Sequence, residues 1–204
     1  MHRPCSGAGL PGEEWSLEAR MLRRVICLYV RIYQGGEWDP STLPDHGAAI
    51  LACNHLSVLD PLLLVASSQR AVSFLVAQEY YDLPWLRPLL DLTYCIPVRR
   101  DGRDLRGLLK ARQLLRAGRT VGIFPEGGIA RHGIQKGLAW LVRESQAPVI
   151  PARIDGARQY QSDLATLLHR QRPHLRYGVP LHFLPGAGTE EILGATVSAI
   201  ATLA

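Results

Sequence analysis

GAAILAC, Gly47 to Cys53, runs without a break into Asn54-His55-Leu56-Ser57-Val58-Leu59-Asp60, and Pro61 then opens the apolar run Leu62-Leu63-Leu64-Val65. A short apolar run bounded by turn-forming residues reads as a buried strand, and a proline just inside the next apolar run marks the first turn of a helix. The histidine and the aspartate therefore fall where a buried strand gives way to a helix. In an α/β sheet that is the expected place for a site, because ligands bind beyond the carboxyl ends of the strands.

Outward from this segment the pattern repeats. Val72 to Ala77 (VSFLVA), Tyr94 to Val98 (YCIPV), Thr120 to Phe124 (TVGIF) and Pro148 to Ile154 (PVIPARI) read as further strands, and Val179 to Leu184 as a sixth after a basic segment, His169 to Arg176. Between them Leu105 to Ala117 reads as a helix with Leu105, Leu108, Leu109 and Leu115 on one side and Gly118 as its C-cap. Gly137 to Ser145 and Glu190 to Leu203 read as two more helices. Strands alternating with helices predict a single α/β domain with a largely parallel central sheet flanked by helices. No internal repeat or low-complexity tract interrupts it.

Ahead of this domain, residues 1–15 are expected to be disordered, with Gly and Pro concentrated at their start. From Ser16 to about Tyr33, Leu17, Met21, Leu22, Val25, Leu28, Tyr29 and Ile32 recur at helical spacing, with Arg20, Arg23, Arg24 and Arg31 between them, until Gly35-Gly36 stops the run. Such a basic amphipathic helix either packs on its own core or lies in an acidic lipid interface. The predicted organisation is thus an amphipathic membrane-surface helix over 16–36 and the main domain over 37–204. Tyr80 to Leu92, with Tyr80, Tyr81, Trp85, Leu86, Leu89 and Leu90, reads either as an internal amphipathic helix or as a second interfacial contact.

Bulk composition narrows the partners. The chain has 204 residues, 23 Lys and Arg against 18 Asp and Glu, and all of those cations except Lys110 and Lys136 are Arg. A +5 charge suits nucleic acid, an acidic membrane or phosphorylated small molecules. No recognised nucleic-acid motif accompanies it. Cys5, Cys27, Cys53 and Cys95 are far apart, without the tight spacing of a metal or redox site, and are expected to be free thiols in a reducing compartment. No stretch approaches the ~18 apolar residues of a membrane span, and Glu13, Glu14, Glu18 and Arg20 interrupt any signal-peptide core. The expected location is peripheral, on the cytoplasmic face of a membrane.

Four local features could carry chemistry. A turn at Ser57 can fold Asp60 back onto His55, fixing the tautomer and leaving the second ring nitrogen free to take a proton; the bland reading is a helix cap beside a structural histidine. Phe124-Pro125-Glu126-Gly127-Gly128 follows a strand, and its glycines let backbone N–H groups approach a ligand. Arg99-Arg100-Asp101 could grip phosphate bidentately, and Gln135-Lys136-Gly137 places a lysine at an expected helix start, where anions are favoured. No G-x-S-x-G elbow appears, which argues against a serine hydrolase.

Taken in order, these blocks resemble the glycerolipid acyltransferase family, the lysophosphatidic acid acyltransferases and their relatives. NHLSVLD is similar to that family's first block, IPVRR to the second, FPEGG to the third and VIPARI to the fourth. The resemblance implies transfer of a fatty acyl group from acyl-CoA or an acyl carrier protein to a lysolipid hydroxyl, foremost 1-acylglycerol-3-phosphate, in phospholipid biosynthesis. His55 would be the general base and Asp60 its orienting partner. Arg100 and Glu126 would bind the acceptor, Gly127 would shape the third block and Pro151 would serve the donor side or the structure. The thioester is a co-substrate, and no further cofactor or metal is implied. One departure stands out: the family's third block commonly continues with Thr-Arg-Ser, whereas this chain reads Gly128-Ile129-Ala130-Arg131. Arg131 or Lys136 could replace the missing phosphate ligand, or the acceptor lacks a phosphomonoester, as a lyso-ornithine lipid does. The competing reading, from another class, is a non-catalytic peripheral membrane-binding module.

Overall fold

Five strands lie side by side in parallel because each is separated from the next by enough chain for a crossover, and all but the edge strand, where Pro97 is exposed, are largely buried on both faces. The computed structural model describes residues 16–84, 86–99, 105–125 and 131–204. The first described element is helix α1 (Leu17–Leu28), which widens into a π-helical segment, Tyr29–Gln34, and ends at Gly35 in the left-handed region, φ +69°; the expected disorder of residues 1–15 lies outside the described residues. The remaining elements are β1 (Glu37–Trp38), β2 (Ala49–Cys53), α2 (Asp60–Ser67), β3 (Val72–Ala77), α3 (Gln78–Tyr81), α4 (Arg87–Leu92), β4 (Ile96–Val98), α5 (Leu105–Arg116), β5 (Thr120–Ile123), α6 (Arg131–Ser145), β6 (Val149–Asp155), α7 (Asp163–Leu168), β7 (His174–Tyr177) and α8 (Thr189–Ala201). They form a seven-stranded sheet in the order β1-β7-β6-β2-β5-β3-β4. Pairing is parallel from β6 through β4; β7 runs antiparallel to β6 and carries β1 with it.

Strand alternation distributes the core to two faces. Ala49, Leu51 and Cys53 of β2 join Ile150, Ala152 and Ile154 of β6 in one apolar cluster with α1 and α2. Ile50 and Ala52 of β2 join the buried residues of α5, α6 and α8 in the other. The single-domain, largely parallel sheet inferred from the sequence is the observed architecture.

Four details differ from the sequence reading. The sixth strand is His174–Tyr177, not Val179 to Leu184; the latter holds a single antiparallel bridge, Val149 to Leu181. Pro180 and Pro185 lack the N–H that a ladder needs. HLRY instead alternates, Leu175 and Tyr177 inward, while Arg176 donates to Asp155 at 2.6 Å. The helix expected from Gly137 begins at Arg131, so Lys136 lies within the second turn of α6 and not at a helix start. The buried side of α5 is Gly107, Ala111, Leu114 and Leu115, with Leu105 and Leu109 exposed. Tyr80 to Leu92 divides between α3 and α4, and no described residue of α4 is buried.

Helix α1 uses its small face for packing. Ala19, Ile26 and Val30 are buried, and the main helix it meets is α2. Arg23 turns inward, its guanidinium donating to the carbonyls of Val65 (3.2 Å), Ala66 (3.0 Å) and Ser68 (2.7 Å). Those carbonyls end α2 without intrahelical partners, so Arg23 caps that helix. The large apolar residues face outward: Leu17, Met21, Val25, Leu28 and Ile32 are between 58% and 71% exposed. Among the described residues no helix is long and apolar enough to cross a membrane.

Candidate active site

β2 ends at Cys53, and the residue after it is fixed by the neighbouring strand. Asn54 is buried; its side-chain amide donates to the Ile154 carbonyl at 2.8 Å and its oxygen accepts from the Ile154 N–H at 2.7 Å. An asparagine carries both a donor and an acceptor at one end, so it can replace a lost ladder pair. That clip holds the first sequence block against the fourth just as the ladder between β2 and β6 runs out.

Ser57 then turns the chain. Asp60, fully buried at the first position of α2, points back along it. Its Oδ2 accepts from His55 Nδ1 at 2.8 Å, from the Leu56 N–H at 2.6 Å and from the Ser57 N–H at 2.7 Å. The Ser57 hydroxyl donates to Oδ1 at 3.2 Å and accepts from the Leu59 N–H at 3.2 Å. A carboxylate oxygen can only accept, so in the neutral imidazole the shared proton sits on Nδ1 and Nε2 carries the lone pair. The positive end of α2 adds its field to the same carboxylate. The His55 side chain is 30% exposed, open on one side to a reactant.

Its remaining face is covered by aromatic rings. Phe124, the residue after β5, stacks on the imidazole with centroids 4.4 Å apart and planes 24° off parallel. Phe124 in turn stacks on buried Phe74 of β3 at 5.8 Å. Gly122 makes this possible, because a Cβ there would stand 2.3 Å from a ring carbon of Phe74. The ring is thus clamped between a carboxylate at its edge and a phenyl at its face.

The other expected site residues follow from the parallel sheet. The described parts of the second and third blocks, Arg99 and Phe124-Pro125, follow strands parallel to β2, whereas the fourth block is β6 itself. Phe124 and Pro125 bring the third block to the imidazole; Glu126 and Gly127 lie outside the described residues, as do Arg100 and the side chain of Arg131. Arg99 is exposed at the end of β4. Lys136 is exposed on α6. Pro151 is buried in β6, opposite Ala52, and its ring packs under Gly178, where a Cβ would lie 2.8 Å away. By strand parity it faces the α5–α6–α8 layer with Val149.

Three features of the site were not anticipated from the sequence: the Asn54 clip, the phenyl stack of Phe124 and Phe74, and Gln159, whose side-chain oxygen accepts from the Val58 N–H at 3.1 Å. Asn beside the His and Phe at a strand end were visible signals. Gln159 had none, because it reaches the turn from 101 residues away.

The His–Asp pair at the carboxyl edge of a mainly parallel sheet makes this an α/β fold with a candidate site where such folds bind ligands. The acyltransferase family model matches residues 38–155, more than half of the chain and all four blocks, and the chain belongs to that family. Among curated relatives, the 1-acyl-sn-glycerol-3-phosphate acyltransferase of Bacillus subtilis is 24% identical over 148 residues, covering 71% of this chain and 72% of its own. The enzyme of the same name from Borreliella burgdorferi is 26% identical over 120 residues, 55% of this chain and 47% of its own length. The chain spans about half of that relative and 53% of a probable 1-acyl-sn-glycerol-3-phosphate acyltransferase of Mycoplasma pneumoniae. In fold it is similar to the crystal structure of the 1-acyl-sn-glycerophosphate acyltransferase PlsC of Thermotoga maritima, with a TM-score of 0.72 at 17% identity, over 91% of this chain and 79% of that one.

Proposed function

We propose that this acyltransferase moves a fatty acyl group from a thioester, acyl-CoA or acyl carrier protein, to the hydroxyl of a lysolipid, foremost 1-acylglycerol-3-phosphate, with His55 as general base. The observation that carries the reading is the 2.8 Å contact of His55 Nδ1 with a carboxylate already held by two backbone N–H groups and a hydroxyl. A base serves best when its tautomer and direction are fixed before the reactant arrives. Nε2 takes the acceptor hydroxyl proton as its oxygen attacks the thioester carbonyl; the carbon–sulfur bond breaks, and the imidazolium returns the proton to the leaving thiolate. Asp60 stabilises the imidazolium between the two events. Arg100, Glu126, Gly127, Arg131 and Lys136 are proposed to bind the acceptor, and Pro151 to support the donor side by packing.

The acceptor is amphiphilic, so the site must reach a bilayer. The outward apolar stripe of α1 supports attachment to the membrane surface, since a contiguous row of large apolar side chains in water marks an interaction face. Arg20, Arg24 and Arg31 are exposed beside it, suiting an anionic leaflet. In the basic segment Arg176 is taken up by Asp155, and no recognised nucleic-acid motif accompanies the rest.

The test is transfer of labelled palmitate from its CoA or carrier-protein thioester to lysophosphatidic acid, lysophosphatidylglycerol, lysophosphatidylethanolamine and lyso-ornithine lipid, with wild type beside His55→Ala. Transfer by wild type alone is expected. Turnover retained by the variant removes His55 as the base, and preference for lyso-ornithine lipid would explain the Gly128-Ile129-Ala130 departure. No transfer from either donor would leave a membrane-binding module.

A further inference from the structure

A second concave site lies at the same end of the sheet as His55, two strands away. The π-helical segment ends at Gly35-Gly36, and the chain from α7 to β7 passes beside it. Between them is an open-sided cavity of about 720 Å³ lined by Arg31, Arg170, Arg172, Trp38 and Glu37. Its position follows from register: His174 pairs with Asp155, the last residue of β6. Three arginines and one carboxylate thus line a hollow at the same end of the sheet as His55. The Arg31 guanidinium lies 4.3 Å over the Trp38 ring. The Arg170 guanidinium folds onto Gly35, whose absent Cβ would stand 3.1 Å from Nη2.

The hollow is built, not incidental. Gln34, fully buried, donates to the Leu167 carbonyl and the Tyr29 hydroxyl, both at 2.8 Å, and its own side-chain and backbone oxygens accept from the Gln171 and Arg172 N–H groups. Arg172 is held in the left-handed region, φ +56°, where a non-glycine residue is uncommon and persists only when its surroundings over-determine it. Gly156 permits that path, since a Cβ there would lie 2.9 Å from the Arg172 carbonyl oxygen. π-Helical turns such as the one that ends here occur frequently at functional sites.

The hollow also adjoins the exposed apolar surface. Arg31 shares its helical segment with exposed Leu28 and Ile32, and the Tyr33 hydroxyl ties that segment to α7, whose Leu164 and Leu168 are also exposed, by donating to the Leu168 carbonyl at 2.5 Å. Apolar side chains beside an arginine-lined hollow match the two halves of a phospholipid, acyl chains and an anionic phosphate headgroup.

We infer that Arg31, Arg170 and Arg172 form a headgroup site for an anionic phospholipid of the bilayer, a non-reacting lipid that docks the protein with its His55 edge toward the membrane. This rests on the membrane-surface reading above and is independent of the acyl-transfer reading. The test uses the full chain with phosphatidylcholine vesicles, with and without about one-third phosphatidylglycerol, and no thioester or lysolipid present. Arg172→Gly suits the left-handed backbone, so it removes the guanidinium without opposing the fold.

Binding to the acidic vesicles is expected to fall about fivefold for Arg172→Gly and roughly 25-fold for Arg170→Gln with Arg172→Gly. Arg116→Gln, the same charge change on the α5 face, is expected to lose less than about twofold. Wild-type binding by the double variant, or an equal loss in Arg116→Gln, overturns the site. A free-phosphate site, also contrary to the proposal, would show as a saturable Trp38 fluorescence response to inorganic phosphate while the double variant keeps its vesicle binding. Trp38→Phe supplies the fluorescence blank.

Discussion

Replacing Asp60 by Asn isolates the charge of the carboxylate from its geometry. The donors from His55, Leu56 and Ser57 all converge on Oδ2, while Oδ1 meets only the Ser57 hydroxyl. An asparagine can place its oxygen in the Oδ2 position and its amide nitrogen in the Oδ1 position, donating to a hydroxyl that can accept a second bond. Every backbone donor stays satisfied and His55 keeps its tautomer. What is lost is the attraction between carboxylate and imidazolium. At the 2.8 Å of this contact, an effective dielectric of about 20 gives about 6 kcal/mol. With the imidazole side chain 30% exposed, solvent screening leaves about half of that, about 3 kcal/mol. Asp60→Asn is therefore expected to lower kcat roughly 150-fold, with little change in KM and a Tm within about 3 °C of wild type. Asp60→Ala differs in kind, because it strands the buried Ser57 N–H and weakens Leu56 N–H and His55. It should destabilise the fold by about 3 kcal/mol, a Tm fall of about 6–12 °C at the scale of a chain this size. Steady-state palmitoyl transfer and thermal melts of both variants are the assay. Undiminished kcat in Asp60→Asn would refute the claim that Asp60 stabilises a charged His55.

Further expectations rest on other parts of the structure. Gly122→Ala should force Phe74 off its position and with it Phe124, costing about 1–3 kcal/mol in denaturant melts and lowering kcat although no reacting group is altered. Arg23→Gln should destabilise by about 2 kcal/mol through the uncapped carbonyls of α2; a Tm equal to wild type would remove Arg23 from that role. Changing Met21, Val25 and Ile32 together to Ser should reduce partitioning onto acidic vesicles at least about tenfold with Tm unchanged, since these side chains contribute little to the core. Burial raises the phenols of Tyr81 and Tyr177 and the thiol of Cys95 above their ordinary values. A folded-state value above the unfolded one makes the native chain hold protons that the unfolded chain releases. That stability is complete below the unfolded values and is lost as pH rises past them. Tm should hold steady from neutral pH to about 8 and fall beyond it, more steeply past about 10, and Tyr81→Phe should flatten the fall, read by scanning calorimetry across pH.

The sequence alone determined the architecture and the pairing of His55 with Asp60, because both are local. Five apolar runs with turn residues at their ends specify buried parallel strands, and the His-x4-Asp block follows the first of them directly. His55 and Asp60 are close enough along the chain for a single turn at Ser57 to join them. Tertiary structure decided everything that depended on which neighbour lay alongside. HLRY, as β7, took the place expected for Val179 to Leu184, where Pro180 lacks a ladder N–H and only Leu181 bridges to β6. Phe124 became the wall of the imidazole only because β5 lies next to β2 and β3, with Gly122 giving Phe74 room. The amphipathic helix at the start could have turned its large apolar residues either way. Ala19, Ile26 and Val30 fit closely against α2 and Arg23 was needed at its end, so Leu17, Met21, Val25, Leu28 and Ile32 were left facing out. Periodicity fixes which residues share a face, but the shape of the partner fixes which face is buried.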